Sequence, residues 1–375
     1  MKTQTRFLTT LLLSLSVFCI NVKASITDST GTPPSPKTKF IHPGILNTRS
    51  SLNQIAAELK AGDTMRTAAY QKVLDFIKDH EYPTTFPATI VVGSNGATSP
   101  SKTQIRKDCE LVYAYALAWA NTGDTGYAKK AIGLLNGWAY AFKDYGLLPG
   151  KTNAKQPSLE ASWTTPSFVA AAEIIRHYKV KGKSAGWAAA DIERFGKYLI
   201  NVKDNYINVI PDYKNNWDSS AGYAKMAIGI FLDADSVYRA GYDLMVRELP
   251  NIIQPDGTLP ELCVRKDCVH YQYSLTAYAY AAALARIQGD NNLWELSSKN
   301  ISLGYDFMRK AFERKTGCDY CDLNSRIFPG VEVAYGYYKT ENLKYLRALQ
   351  APLGVPIDNT FLGFTTYTHF GVKGL

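Results

Sequence analysis

From about Ser50 onward, helical periodicity runs almost throughout this 375-residue chain and constrains the fold more than any other feature. Leu52, Ile55, Ala56 and Leu59 recur at helical spacing behind the capping candidates Ser50 and Ser51, and Gly62 ends the run. The same reading predicts helices over Thr64–His80, Ile105–Ala120, Tyr127–Phe142, Phe168–Tyr178, Ala188–Ile200 and Ala221–Asp233. It continues over Ser236–Leu249, His270–Gln288, Leu293–Phe312 and Val331–Tyr338. Two junctions are built alike. Asn121-Thr122-Gly123-Asp124 and Gln288-Gly289-Asp290 each end an Ala-rich helix at a glycine suited to the left-handed position, followed by an aspartate able to cap the next helix. Alternating strand patterns of useful length are missing, with Val91-Val92 and Val331–Val333 as short exceptions. Roughly a dozen helices in hairpins predict an all-α fold, a single α/α toroid or incomplete α/α barrel. The hairpins resemble one another too weakly for a regular solenoid.

The first residues read differently. Lys2 and Arg6 precede an apolar run from Phe7 to Ile20, and Val22-Lys23-Ala24 suits signal peptidase. That run is too short for a membrane span, so residues 1–24 are expected to be a signal peptide cleaved near Ala24. Residues 25–39, rich in Ser, Thr, Pro and Gly, read as an N-terminal arm, and residues 40–375 as the toroid. The expected product is a secreted or periplasmic monomer without a membrane span.

Of the six cysteines, Cys19 falls in the leader, leaving Cys109, Cys263, Cys268, Cys318 and Cys321. An exported chain can form disulfides. Cys263 with Cys268 and Cys318 with Cys321 are the pairs close in sequence, leaving Cys109 free. The single CxxC at Cys318 is weak evidence for a metal, so neither a metal nor a cofactor is expected. Net charge is +9, and leader cleavage would remove Lys2, Arg6 and Lys23. A basic exported protein attracts polyanions, no nucleic-acid-binding motif is present, and the charge alone fits generic solubility equally well. The 25 tyrosines suit sugar-binding clefts as well as helix interfaces. The HExxH, Walker A, GxSxG and dinucleotide fingerprints are all missing, which disfavours the enzymes built on them.

Three segments can carry chemistry. Asn215-Asn216-Trp217 precedes a helix, where paired asparagines ordinarily form turns and caps. An asparagine amide there can instead donate to a substrate carboxylate, with Trp217 as a stacking surface for a sugar. The run from Glu261 to Tyr273 gathers Arg265, Asp267, His270, Tyr271 and Tyr273 at a helix entrance. On a helix His270 and Tyr273 share a face, and Tyr271 points elsewhere. His42, before Pro43, could reach a cleft from the N-terminal side, although a lone histidine is more often structural. Lys102 and Arg106 are further candidate cleft residues, as are Arg66, Arg326 and His369.

Taken in order, these motifs resemble the alginate lyase superfamily, in branches near polysaccharide lyase families five and thirty-eight. The resemblance is carried by His42-Pro43-Gly44-Ile45-Leu46, the Asn121–Asp124 junction, Asn215-Asn216-Trp217, Met226–Asp233 and the run from Asp256-Gly257 through Arg265 to His270-Tyr271-Gln272-Tyr273. It spans about residues 40 to 340. The resemblance implies an α/α toroid, an acidic polysaccharide as partner, and β-elimination at a uronate. It places an asparagine of the Asn215-Asn216 pair and Arg265 against the substrate carboxylate, and makes Tyr271 or Tyr273 the base and acid. Spacing from Arg265 resembles family five at Tyr271, while helical phase favours Tyr273. Family five carries a histidine where this chain has Trp217, so either His270 supplies an imidazole or no histidine base is used. Two other functions compete: a glycoside hydrolase, which needs two carboxylic acids from among Glu160, Asp218, Glu261 and Asp267, and a non-catalytic polyanion-binding protein.

Overall fold

The computed structural model describes residues 39–150, 153–357 and 360–375, so the expected leader and almost all of the arm lie outside the described residues. In chain order the elements begin with α1 (Arg49–Lys60), α2 (Thr64–Asp79), β1 (Thr89–Val92), α3 (Pro100–Thr122), α4 (Thr125–Ala141) and β2 (Asp144–Leu147). They continue with α5 (Gln156–His177), α6 (Ala189–Asn205), α7 (Asn216–Phe231), α8 (Asp235–Ile252), α9 (Pro260–Arg265) and α10 (His270–Ile287). The last are α11 (Asn292–Phe312), α12 (Gly330–Tyr338), α13 (Glu341–Leu349) and α14 (Thr365–Thr368).

Burial sorts these helices into two layers. α3, α5, α7 and α10 are buried nearly all round, as helices in the interior must be. α6 and α8 bury only one stripe, for α6 Phe195, Tyr198, Leu199 and Val202. Successive inner helices pack on one another, α4, α8 and α11 each pack on the inner helix they follow, and α6 packs chiefly on α4, which makes the α/α toroid. The predicted hairpin at Gly123 takes shape as read. Gly123 adopts φ 73°, and Asp124 accepts from the Gly126 N–H. At the α7–α8 hairpin the helices nearly touch. A Cβ on Gly229 would lie 2.4 Å from the Tyr238 nitrogen, and one on Gly241 2.5 Å from the Gly222 carbonyl oxygen, so larger residues would push the pair apart.

Val91-Val92 form a short strand as read, in a two-stranded parallel ribbon in register from Thr89 with Asp144 to Val92 with Leu147. Other expectations need correction. Val331–Val333 are helical, in α12. α5 begins at Gln156, well before Phe168, because Pro157 sits in the first turn, where its missing N–H costs nothing, and Pro166 is carried inside the helix. The disulfides cross over: Cys263 joins Cys318 and Cys268 joins Cys321. Two short segments thus lie side by side as two rungs, which pairing by nearness in sequence could not foresee. Cys109 is free and buried. No helix among the described residues is long and apolar enough to cross a membrane.

Candidate active site

The N-terminal ends of all four inner helices meet at one cleft of about 470 Å3. α3 supplies Lys102 and Arg106, α5 supplies Gln156, Leu159 and Trp163, α7 supplies Asn216 and Trp217, and α10 supplies His270 and Tyr273. Arg265 and Asp267 enter from α9 and the turn after it, and the loop Gly93–Gly96 beyond β1 closes one side. Each helix brings the positive end of its dipole, so the cleft favours an anion before any side-chain charge is added. A larger hollow of about 640 Å3, between Glu81–Thr85 and Thr98–Lys107, has one cation in its lining, Lys107. That ammonium donates to the Glu81 carbonyl and lies 3.5 Å from Asp108.

The asparagine pair divides its work. Asn215 caps α7, its Oδ1 accepting from the Trp217 N–H at 2.9 Å, while Asp218 accepts from the Tyr213 and Asn215 N–H groups. Asn216 turns inward. Its Nδ2 donates to Glu261 Oε1 at 2.5 Å, and Ser274 Oγ donates to Glu261 Oε2 at 3.2 Å. Burial holds the Glu261 carboxyl above the usual carboxylate range, opposed by the Asn216 hydrogen bond, the His270 charge, Ser274 and Arg265. Glu261 therefore fixes the Asn216 amide against the cleft wall, at a cost to the fold. A raised folded pKa means that folding favours the neutral acid. The cost is present above that pKa and vanishes as pH falls below the unfolded value of about 4.3. Glu261→Gln is thus expected to melt at or above the wild-type temperature near pH ~8, with the gap closing toward pH ~4. A variant that melts lower than wild type throughout a calorimetric pH series would show that burial is not the dominant influence.

His270 is oriented by its neighbour. Its Nδ1 pairs with Asp267 Oδ2 at 2.7 Å, and Asp267 Oδ1 accepts from the Val269 and His270 N–H groups. With the Nδ1 hydrogen donated to Asp267, Nε2 is the nitrogen left for a ligand. Tyr273 stands beside it, with ring centroids 6.0 Å apart, and packs on Trp163 and Phe328, each at 4.9 Å. Opposite, Arg106 grips the buried Glu160 through two nitrogens at 2.5 and 2.7 Å and lies over the Trp163 ring at 5.0 Å. Lys102 donates to the Ala97 carbonyl at 2.9 Å, which ties down the Gly93–Gly96 loop.

The structure gathers most of the residues singled out in the sequence and separates three groups from them. Asn216, Trp217, Arg265, His270, Tyr273, Lys102 and Arg106 line the cleft, with Asn215 just behind. Tyr271 does not. It is buried, its hydroxyl lying 3.4 and 3.3 Å from the sulfurs of Cys268 and Cys321, and burial together with Asp267 pushes its phenol far above the ordinary value. His42 is also misplaced by the sequence reading. It contacts Glu173, 13 residues along α5 from Glu160, or about 20 Å toward the far end at 1.5 Å per residue. Arg66 binds the carbonyls of Thr366, Tyr367 and Phe370, and His369 is buried, so neither faces the cleft. Trp163, Gln156 and the Gly93–Gly96 loop carried no local signal, since each lies in a stretch that reads as turn or linker. Of the acids a hydrolase would need, Glu160 is held by Arg106, Glu261 by Asn216 and Ser274, Asp267 by His270, and Asp218 by backbone N–H groups.

No curated protein matches this sequence. Among solved structures, the chain is similar to alginate lyase A1-III from Sphingomonas species A1, with a TM-score of 0.66 at 16% identity, covering 88% of this chain and 98% of that one. A form of A1-III complexed with a tetrasaccharide matches with a TM-score of 0.64 at 17% identity, over 87% of this chain and 97% of that one. An alginate lyase from Bacteroides ovatus matches with a TM-score of 0.67 at 12% identity, over 88% and 99%. At such identities these likenesses establish the fold. The family model for alginate lyase matches residues 55–315, a span that contains the four inner helices and the cleft at their N-terminal ends, and the chain belongs to the alginate lyase family of polysaccharide lyases.

Proposed function

We propose that this enzyme cleaves a uronate polymer by β-elimination, acting on mannuronate or glucuronate linkages in an alginate-like or glucuronan-like polysaccharide. The observation that carries the reading is the meeting of Asn216, Arg265, His270 and Tyr273 at one cleft lined by four helix N-termini. Elimination requires the C6 carboxylate to accept the charge left when the C5 proton departs. Fixed donors aimed at that developing charge are the main source of acceleration. In this reading the Asn216 amide, held by Glu261, and the Arg265 guanidinium neutralise the carboxylate, and His270 Nε2, set by Asp267, adds a third contact. The Tyr273 oxygen takes the C5 proton, the C4–O4 bond breaks as the C4–C5 double bond forms, and the same phenol returns the proton to O4. Arg265 and His270 line the same cleft as this phenol. Trp217, in the lining of the cleft, offers a stacking surface for a sugar ring. Export through a cleaved leader suits both the two disulfides and a polymer that cannot enter the cell.

One tyrosine can make both proton transfers only where the C5 hydrogen and O4 share a face of the ring, as in mannuronate and glucuronate. Guluronate presents them on opposite faces. The expected result of a screen over mannuronan, guluronan, glucuronan and glycosaminoglycans, followed at the near-ultraviolet absorbance of the unsaturated product, is turnover of mannuronan or glucuronan well above guluronan. Preferred turnover of guluronan would overturn the single-tyrosine mechanism.

A further inference from the structure

A second group of chemically active side chains lies at the opposite end of the toroid. Glu173 and His177 sit four residues apart on α5, so both project from one face of its last turns. His42 joins them from the segment before α1, its Nδ1 2.8 Å from Glu173 Oε2. One ligand atom from each of the three residues lies within 4.8 Å of the others. Two atoms in this cluster are buried without a hydrogen-bond partner: Glu173 Oε1 and His177 Nε2, which face each other at 3.6 Å. Buried polar atoms are seldom left so. A cation between them would satisfy both.

The supports expected around a metal are also in place. Metal-bound histidines usually donate their other ring N–H to a carboxylate, and ligating carboxylates are themselves hydrogen-bonded. His42 Nε2 lies 3.1 Å from Asp233 Oδ1, and Glu173 Oε2 accepts from the Gly44 N–H at 3.1 Å. Gly44 has no room for a side chain, since a Cβ would lie 2.0 Å from the Ile41 carbonyl oxygen. The Gln288 side chain pins the same segment through the Ile41 N–H and the carbonyls of Ile41 and Gly44. The cluster also lies at the C-terminal ends of α5 and α7, where helix dipoles favour a cation.

We propose that His42 Nδ1, Glu173 and His177 Nε2 bind a divalent transition ion of the zinc type, with Asp233 orienting His42, and that the ion clamps the Phe40–Leu46 segment to the far end of the toroid. Two imidazoles and one carboxylate are a typical ligand set for such an ion, with water completing the shell. Ligands at about 2.0–2.1 Å in a tetrahedral shell stand about 3.3 Å apart. The present separations of 2.8 and 3.6 Å bracket that figure. The ion replaces the proton that His42 Nδ1 shares with Glu173. It also draws the His177 ring out of its stack on His42, where the centroids lie 4.3 Å apart.

The test uses untagged full-length protein, stripped with a chelator and titrated with cobalt and with zinc alone. The wild type is expected to take up one equivalent, to show the visible bands of tetrahedral cobalt and to melt higher with zinc. His177→Gln should weaken binding by at least on the order of 100-fold, and Asp233→Asn by about tenfold, as outer-shell changes do. Both positions are partly exposed, so these variants should fold, and their polysaccharide turnover should match the wild type. Absence of tight binding by the wild type, or equal binding by His177→Gln, overturns the site. Neither outcome bears on the cleft about 20 Å away.

Discussion

Tyr273→Phe is expected to lower kcat on the active polymer by about a hundred- to ten-thousand-fold, the range for losing a general acid–base group, with little change in melting temperature. The ring stays packed on Trp163 and Phe328, and only the oxygen beside His270 is lost. Tyr271→Phe should do the reverse. Its hydroxyl lies against the disulfide sulfurs, away from the cleft, and burial holds the phenol protonated, so turnover should persist. Steady-state kinetics of the two variants, with thermal melts as controls, separate the cases. Loss of turnover in Tyr271→Phe but not in Tyr273→Phe would reverse the assignment. Arg265→Ala should cost a comparable factor, about a hundred- to a thousand-fold, because a donor facing the developing charge would be gone.

The second large effect concerns the two disulfides. Cys263–Cys318 and Cys268–Cys321 close loops of 55 and 53 residues and bracket the turn that carries Arg265 and Asp267, just before His270 at the start of α10. By the loop-closure relation, a cross-link of that length contributes about 4 kcal/mol, with roughly 2–5 kcal/mol the usual cost of removing a native one. The loops overlap, so the second bond adds less than the first. Cys263→Ser with Cys318→Ser should lower stability by about that amount in denaturant titration. Full reduction should abolish turnover before the helices unfold, since the turn loses its anchor while the inner helices keep their own packing. Unchanged kinetics in fully reduced protein would show that the turn holds its shape without the cross-links.

Much of the toroid was legible because inner and outer helices differ in a way that sequence records. Apolar runs with Ala at close spacing became α3, α7 and α10, and Gly123 with Asp124 marked a hairpin correctly. α5 was half hidden. Its first turns hold Pro157, Ser162, Thr164, Thr165 and Pro166, residues that read as a linker although tertiary packing buries them all. Glu160 was thereby weighed only as a possible hydrolase acid, and Trp163 was passed over. The tyrosine choice was partly legible, because a helix beginning at His270 puts position 273 on its face and 271 behind it. Disulfide pairing was not, since spacing along the chain says nothing of which segments lie side by side. Nor was the place of His42, because an arm preceding the first helix can cross to either end of a toroid.

The central claim is that the cleft formed by Asn216, Arg265, His270 and Tyr273 breaks its polymer by elimination, without adding water. Digestion in water enriched in the heavy oxygen isotope, with the products read by mass spectrometry, tests this most directly. The wild type should release chains with unsaturated ends and no heavy oxygen at the cleaved bond, and Arg265→Ala should release almost none. Heavy oxygen at the new ends, or undiminished release by Arg265→Ala, would contradict the account.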